Sequence, residues 1–195
     1  MTLKNAVVTT FAVFSFGSAV ANADVVLDWN NTMVETVSGQ NPFAQARFAA
    51  ITQLAVFEAV NAVTRQYMPY LGTISAPPGS SAEAAAIAAA HAVLRNYVPT
   101  AAATLDGQEA MSLASIPDGP EKANGIAVGE AAAAAMIAAR VSDGAGPPKF
   151  YTPVSADPGQ WQPTASCPSG GGILFQWQDL TPFAVQSSIG APESF

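Results

Sequence analysis

The stretch Arg47–Tyr70, reading RFAAITQLAVFEAVNAVTRQYMPY, constrains this chain more than any other. Its apolar residues run almost all round a helix, so neighbouring helices must bury it. One polar line interrupts the apolar surface: Glu58, Asn61 and Arg65, spaced i, i+3 and i+7 and therefore stacked on one face. Polar groups inside a helical core need internal partners. The line therefore reads as structural, with Glu58 paired to Arg65 or another buried arginine. A functional reading stands beside it, because a carboxyl in an apolar setting can have a raised pKa and carry a proton. Glu130, ahead of Ala131–Ala135, is placed similarly. The pattern ends in an aromatic-proline elbow, Tyr67-Met68-Pro69-Tyr70.

Further helices follow from the punctuation, and an all-α bundle of about five is expected between residues 24 and 144. The first covers about Val25 to Thr36 and stops at Ser38-Gly39. The second opens with Asn41 as N-cap and Pro42 at the first helical position. The third begins at Ser80 or Ser81, where Ser80-Ser81-Ala82-Glu83 resembles a capping box, and runs to Tyr97 before Val98-Pro99. A weaker fourth spans about Ala101 to Leu113. The fifth follows Asp118-Gly119-Pro120-Glu121 and runs to Val141, ahead of Asp143-Gly144.

Beyond Gly144, prolines and glycines punctuate a tail of about fifty residues, unusually long for a connection without secondary structure. Residues 145–195 read as an irregular strap, pinned over the helices by Phe150, Tyr151, Trp161, Phe175, Trp177 and Phe183.

The first 23 residues read as a secretory signal: Lys4, an apolar run from Ala6 to Val20, and the small-residue site Ala21-Asn22-Ala23. Cleavage there starts the mature chain at Asp24 and places it in the periplasm or outside the cell. The apolar run is shorter than the roughly 20 residues of a membrane span, and no stop-transfer charges follow. A formal net charge of −7, with no Lys/Arg cluster, argues against nucleic acid and anionic membrane surfaces as partners. Cys167 is the single cysteine, so no internal disulfide can form.

Few catalytic constellations remain open to a chain with one histidine. The turn neighbours of His91 are Ile87, Ala88, Leu94 and Arg95, which supply no metal-ligand set. No Gly-x-Ser-x-Gly elbow accompanies it. His91 reads as a core histidine bonded to backbone or to a carboxylate. Asp143-Gly144-Ala145-Gly146 ends a helix and lacks a lysine, so it is no phosphate-cradling loop.

Several motifs in fixed order carry a resemblance: the acidic helix with Ala59-Val60-Asn61-Ala62-Val63, the Tyr67–Tyr70 elbow, and Ala90-His91-Ala92-Val93-Leu94. They are followed by Arg140-Val141-Ser142-Asp143-Gly144, Pro158-Gly159-Gln160-Trp161-Gln162-Pro163-Thr164 and Thr181-Pro182-Phe183. From about Asp24 onward the chain resembles the N-terminal half of bacterial secreted vanadium-dependent haloperoxidases, relatives of type-2 phosphatidic-acid phosphatases and bacterial acid phosphatases. Gln53 departs from the pattern, standing where a His is expected in many relatives.

The resemblance implies the first helices of a haloperoxidase-type bundle. In the complete protein it implies halide oxidation by vanadate-bound peroxide, or phosphomonoester hydrolysis through a phospho-histidine. The family's oxyanion site comes from Lys-x6-Arg-Pro, Pro-Ser-Gly-His and Ser-Arg-x5-His, and none is present here. Pro168-Ser169-Gly170-Gly171 matches the second only up to its last residue. No catalytic, cofactor or metal residue is therefore assigned, vanadate is not expected on this chain alone, and a partner is expected in the missing C-terminal half or another subunit. The strap and Trp161 would shape the mouth of the pocket. A secreted helical interaction protein, docking a partner through its aromatic tail, is the competing class.

Overall fold

The computed structural model describes residues 24–164 and 171–184, and among these five helices form an all-α bundle. Helix α1, Val25–Val37, is capped by Asp24, whose carboxylate accepts from the Val26 amide at 2.9 Å. It buries Trp29, Met33 and Val37, one residue per turn along a single stripe. Helix α2, Pro42–Thr64, starts as its sequence dictates: Asn41 accepts from the Ala44 amide at 3.0 Å and Pro42 occupies the first turn, where no N–H is needed.

Helix α3, Ala82–Tyr97, is the centre of the molecule, with ten buried residues and both α2 and α5 packed against it. Ser81 caps it through the Ala84 amide, 3.1 Å away. Glu83 falls one position short of closing a reciprocal capping box. After a 3-10 turn at Pro99–Ala101 comes α4, Ala102–Ala114, with no side-chain N-cap and Leu105 its one buried residue. Helix α5, Pro120–Ala139, is registered against α3 at its start, where the Ser81 amide donates to the Glu121 carbonyl at 2.9 Å.

Alanine is what lets these helices approach closely. A Cβ built on Gly125 would stand 2.4 Å from the Ser81 carbonyl oxygen, and one on Gly129 2.4 Å from that of Ala85. The two glycines, four residues apart on α5, lie directly on the alanine face of α3. Interaxial distance follows the side chains at the contact, and close approach multiplies small dispersion gains. Ile51, Ile87, Leu94, Leu105 and Met136 fill the remaining space, each contributing about 1.5–3 kcal/mol by burial.

Two helix ends differ from the sequence expectation. Helix α2 stops at Thr64 because Arg65 turns left-handed (φ 54°), so Arg65 leaves the polar line and is exposed. Helix α5 stops at Ala139, two residues before Val141, where the chain tightens through an Arg140 amide bond to the Ile137 carbonyl.

Among the described residues the strap carries one isolated bridge, Tyr151 to Gly172, and a 3-10 helix at Phe175–Asp179. Its anchor is a polar residue that the aromatic pattern does not suggest. Gln176 is buried, accepting from the Lys149 amide at 2.8 Å and donating to the Ala145 carbonyl at 3.3 Å. Trp177 and Phe183 pack on the helices, against Phe43 and Arg140 respectively. Tyr151, Trp161 and Phe175 instead cluster on one another, with Trp161 and Phe175 exposed. The signal segment, Cys167 and Pro168-Ser169-Gly170 lie outside the described residues.

Candidate functional site: a buried arginine junction

The polar line of α2 resolves into two backbone clamps. Asn61 holds Tyr67 at both ends: its amide donates to the Tyr67 carbonyl at 2.8 Å, and its oxygen accepts from the Tyr67 amide at 2.9 Å. Glu58, fully buried, accepts through one carboxylate oxygen from the amides of Tyr70 and Leu71. The expected pairing of Glu58 with Arg65 or another arginine is therefore corrected. Backbone N–H groups of the elbow take that place, since the left-handed turn at Arg65 carries its side chain outward while returning Tyr70 and Leu71 over α2. Glu130 is exposed, not set in an apolar surround, and does not meet Glu58.

From the elbow the network reaches Arg140. The Tyr70 hydroxyl is 2.5 Å from Arg140 Nη2, and Arg140 Nη1 donates to the Thr181 carbonyl at 2.8 Å. The guanidinium lies over the Phe183 ring, 3.8 Å from its centroid, a cation–π contact that desolvation strengthens. Arg47 closes the junction: its Nε meets Asp143 at 2.8 Å and its Nη2 donates to the Arg140 carbonyl at 2.9 Å. Asp143 is buried, and its own carbonyl accepts from the Thr181 amide at 2.7 Å. Tyr97 stacks on Phe48 and lies beneath Arg47, and burial pushes its phenol above the ordinary 10.0 against the pull of that guanidinium.

Two cations that look scattered in sequence, Arg47 and Arg140, thus meet in space. The hydrogen bonds they make go to protein acceptors: a carboxylate, carbonyls and a phenol. An oxyanion site needs donors aimed at an open position. Arg140 Nε is buried without a partner, but the rest of its guanidinium is committed to the Tyr70 hydroxyl and the strap. This arrangement fastens residues 181–183 to the bundle and fixes the elbow.

His91 lies at a second polar cluster, away from this junction. Its Nε2 is hydrogen-bonded to Asp106 at 2.8 Å, a carboxylate from a neighbouring helix, and its Nδ1 lies 3.2 Å from a second one, Glu109. Those partners were hidden in sequence because they belong to the weakest helix pattern. Their i, i+3 spacing, which puts both on one face of α4, was the available signal. Among the described residues no group of three or more His, Cys, Asp or Glu is arranged to hold a metal. Gln53, half-buried, donates to Asn30 at 3.0 Å and so ties α2 to α1.

Comparison with models of protein families, with curated proteins and with solved structures returned no match.

Proposed function

We propose that this chain is the N-terminal, non-catalytic half of a secreted vanadium-dependent haloperoxidase or acid-phosphatase-like protein. The observation that carries the reading is the convergence of three of its motifs. The acidic helix with its elbow, the Arg140–Gly144 helix end and Thr181-Pro182-Phe183 are far apart in sequence and meet in one hydrogen-bonded junction. Motifs that are built into one another have a shared structural reason to occur together in that order. A second support is that α2 is apolar nearly all round yet incompletely covered. A groove of about 290 Å³, lined by Val26, Val56, Phe57, Val60 and Tyr67 among others, runs along it. By length and composition α2 could also cross a membrane, but its buried Glu58 and Asn61 are satisfied by the elbow, which suits a bundle core.

In this reading the signal is cleaved after Ala23 and the chain is exported. The remaining half, or another subunit, covers α2 and brings the cations and histidine that hold vanadate or phosphate. Halide oxidation or phosphomonoester hydrolysis then belongs to the completed bundle. The exposed Phe150, Trp161 and Phe175 of the strap favour a second reading, a non-enzymatic interaction protein whose aromatic tail docks a partner.

Reading the gene beyond the codon for Phe195 separates the two. An in-frame Pro-Ser-Gly-His followed by Ser-Arg-x5-His is expected, with bromide oxidation or phosphatase activity when that segment is joined to residues 24–195. A gene without such a segment overturns the haloperoxidase-like reading, and activity of residues 24–195 alone overturns the assignment as a non-catalytic half.

A further inference from the structure

The elbow clamp occupies only half of the Glu58 carboxylate. One oxygen accepts from the Tyr70 and Leu71 amides. Among the described residues no group donates to the other oxygen, Oε2, although the residue is only 2% exposed. Nor is that oxygen sealed in: Glu58 lines a pocket of about 280 Å³ beside the end of α2. A carboxylate oxygen accepts and does not donate. The inner end of the pocket therefore selects a donor, and a cationic one most strongly.

The opposite charge stands at the rim. Arg65 lines the same pocket, two helical turns from Glu58, or about 10 Å along the axis. Among the described residues its guanidinium makes no hydrogen bond and no ion pair, unlike those of Arg47 and Arg140. Arg65 is exposed, and it holds a left-handed backbone (φ 54°) at a helix end where glycine is the usual residue. The backbone here does not ask for arginine, and no described neighbour binds its charge. Apolar wall is supplied by Ala62, Pro69 and Ile74, and Ser75 adds a hydroxyl.

We propose that this pocket binds a small aliphatic α-amino acid as its zwitterion. The ammonium donates to Glu58 Oε2, the carboxylate pairs with Arg65, and the side chain lies against Ala62, Pro69 and Ile74. A zwitterion matches both charges, whereas a lone cation would also face Arg65 and a lone anion Glu58. The volume sets the size of the ligand. It lies at the bottom of the roughly 300–1,000 Å³ of small-molecule pockets, which suits a ligand no larger than one amino acid. The site is independent of the haloperoxidase-like reading, because all of its residues lie between 58 and 75.

The test is NMR titration of the ¹⁵N-labelled mature chain, residues 24–195, with L-alanine, L-valine and L-leucine at millimolar concentrations. At least one of the three should give saturable shifts of the Tyr70 and Leu71 amides, which share the Glu58 carboxylate. The N-acetyl derivative of that amino acid lacks the ammonium, and its amide derivative lacks the carboxylate. Each should bind at least tenfold more weakly. Arg65→Gly suits the left-handed turn, so it should melt no lower than the wild type. It should nevertheless lose at least tenfold in affinity for the amino acid and no longer distinguish it from its amide. Arg65→Asn, which also tolerates this backbone, should behave alike. No saturable shift with any of the three amino acids overturns the proposal. Equal wild-type affinity for the amino acid and its amide, or unchanged affinity in both Arg65 variants, overturns it as well.

Discussion

At the scale of single residues, the junction depends on two buried ionisable side chains with different work. Glu58 satisfies two elbow amides that no other group reaches. Glu58→Ala leaves them unpaired, and the expected cost is about 1–3 kcal/mol. For a chain this long each kcal/mol lowers Tm by roughly 2–4 °C. Glu58→Gln keeps an acceptor oxygen but loses the charge-assisted part, so it should fall between wild type and alanine. An alanine variant melting with the wild type would mean the clamp contributes nothing. Arg140 binds the strap, and Arg140→Met preserves much of its volume while removing the donors to Thr181 and Tyr70. Limited proteolysis should then cut residues 171–184 at least tenfold faster while α2 and α3 remain intact. Unchanged cleavage of that segment would assign the anchoring to Gln176 alone. Much of the junction was hard to read in sequence. The spacing of Glu58 and Asn61 showed that they share a buried face. It could not show that their partners are backbone amides, because any residue in the elbow could supply those.

At the scale of elements, local chemistry was legible and lateral packing was not. Asn41-Pro42 and Ser81 mark the helix starts where the structure has them, because a cap is decided by its own neighbours within four residues. The ends of α2 and α5 were misjudged because Arg65 and Arg140 leave the helix for reasons of tertiary structure: the elbow returns over α2, and the strap claims Arg140. Alanine content announced close helices but not which face of α5 meets α3. Glycine makes that contact testable through one substitution with two signs. Gly107→Ala in α4 meets nothing within 4 Å and should stabilise by about 0.5–1 kcal/mol, from the backbone freedom removed from the unfolded chain. Gly129→Ala gains the same propensity but drives a methyl into the Ala85 carbonyl and the Ala88 side chain. Overpacking of this kind costs about 1–3 kcal/mol, so the net effect should be destabilising. Thermal denaturation of both variants checks the pair. Stabilisation of both would mean that α3 and α5 are farther apart than these distances require.

At the scale of the whole molecule, the distribution of cations bears on whether this chain can do chemistry alone. Arg47 is spent on Asp143 and the Arg140 carbonyl, and Arg140 on Tyr70 and the strap. Lys122 pairs with Asp118, Lys149 with Asp179, and Arg95 with Asp106, on separate faces of separate elements. His91 faces two carboxylates, a setting that repels an oxyanion. Vanadate or phosphate needs several converging donors, and assembling them here would require breaking the junction that fastens the strap. Residues 24–195 should therefore bind no vanadate in calorimetric titration at micromolar concentration and oxidise no bromide. Binding abolished by His91→Ala would instead place the oxyanion at the α3–α4 cluster. The proposed partner half should meet the α2 groove, where Val60 is half-buried and lines the wall. Val60→Ser should cost the isolated chain only about 1 kcal/mol yet weaken association with the C-terminal half at least tenfold, because the same position becomes fully buried in the joined bundle. Equal affinity for wild type and Val60→Ser would move the partner to another face, leaving the groove a feature of the lone bundle.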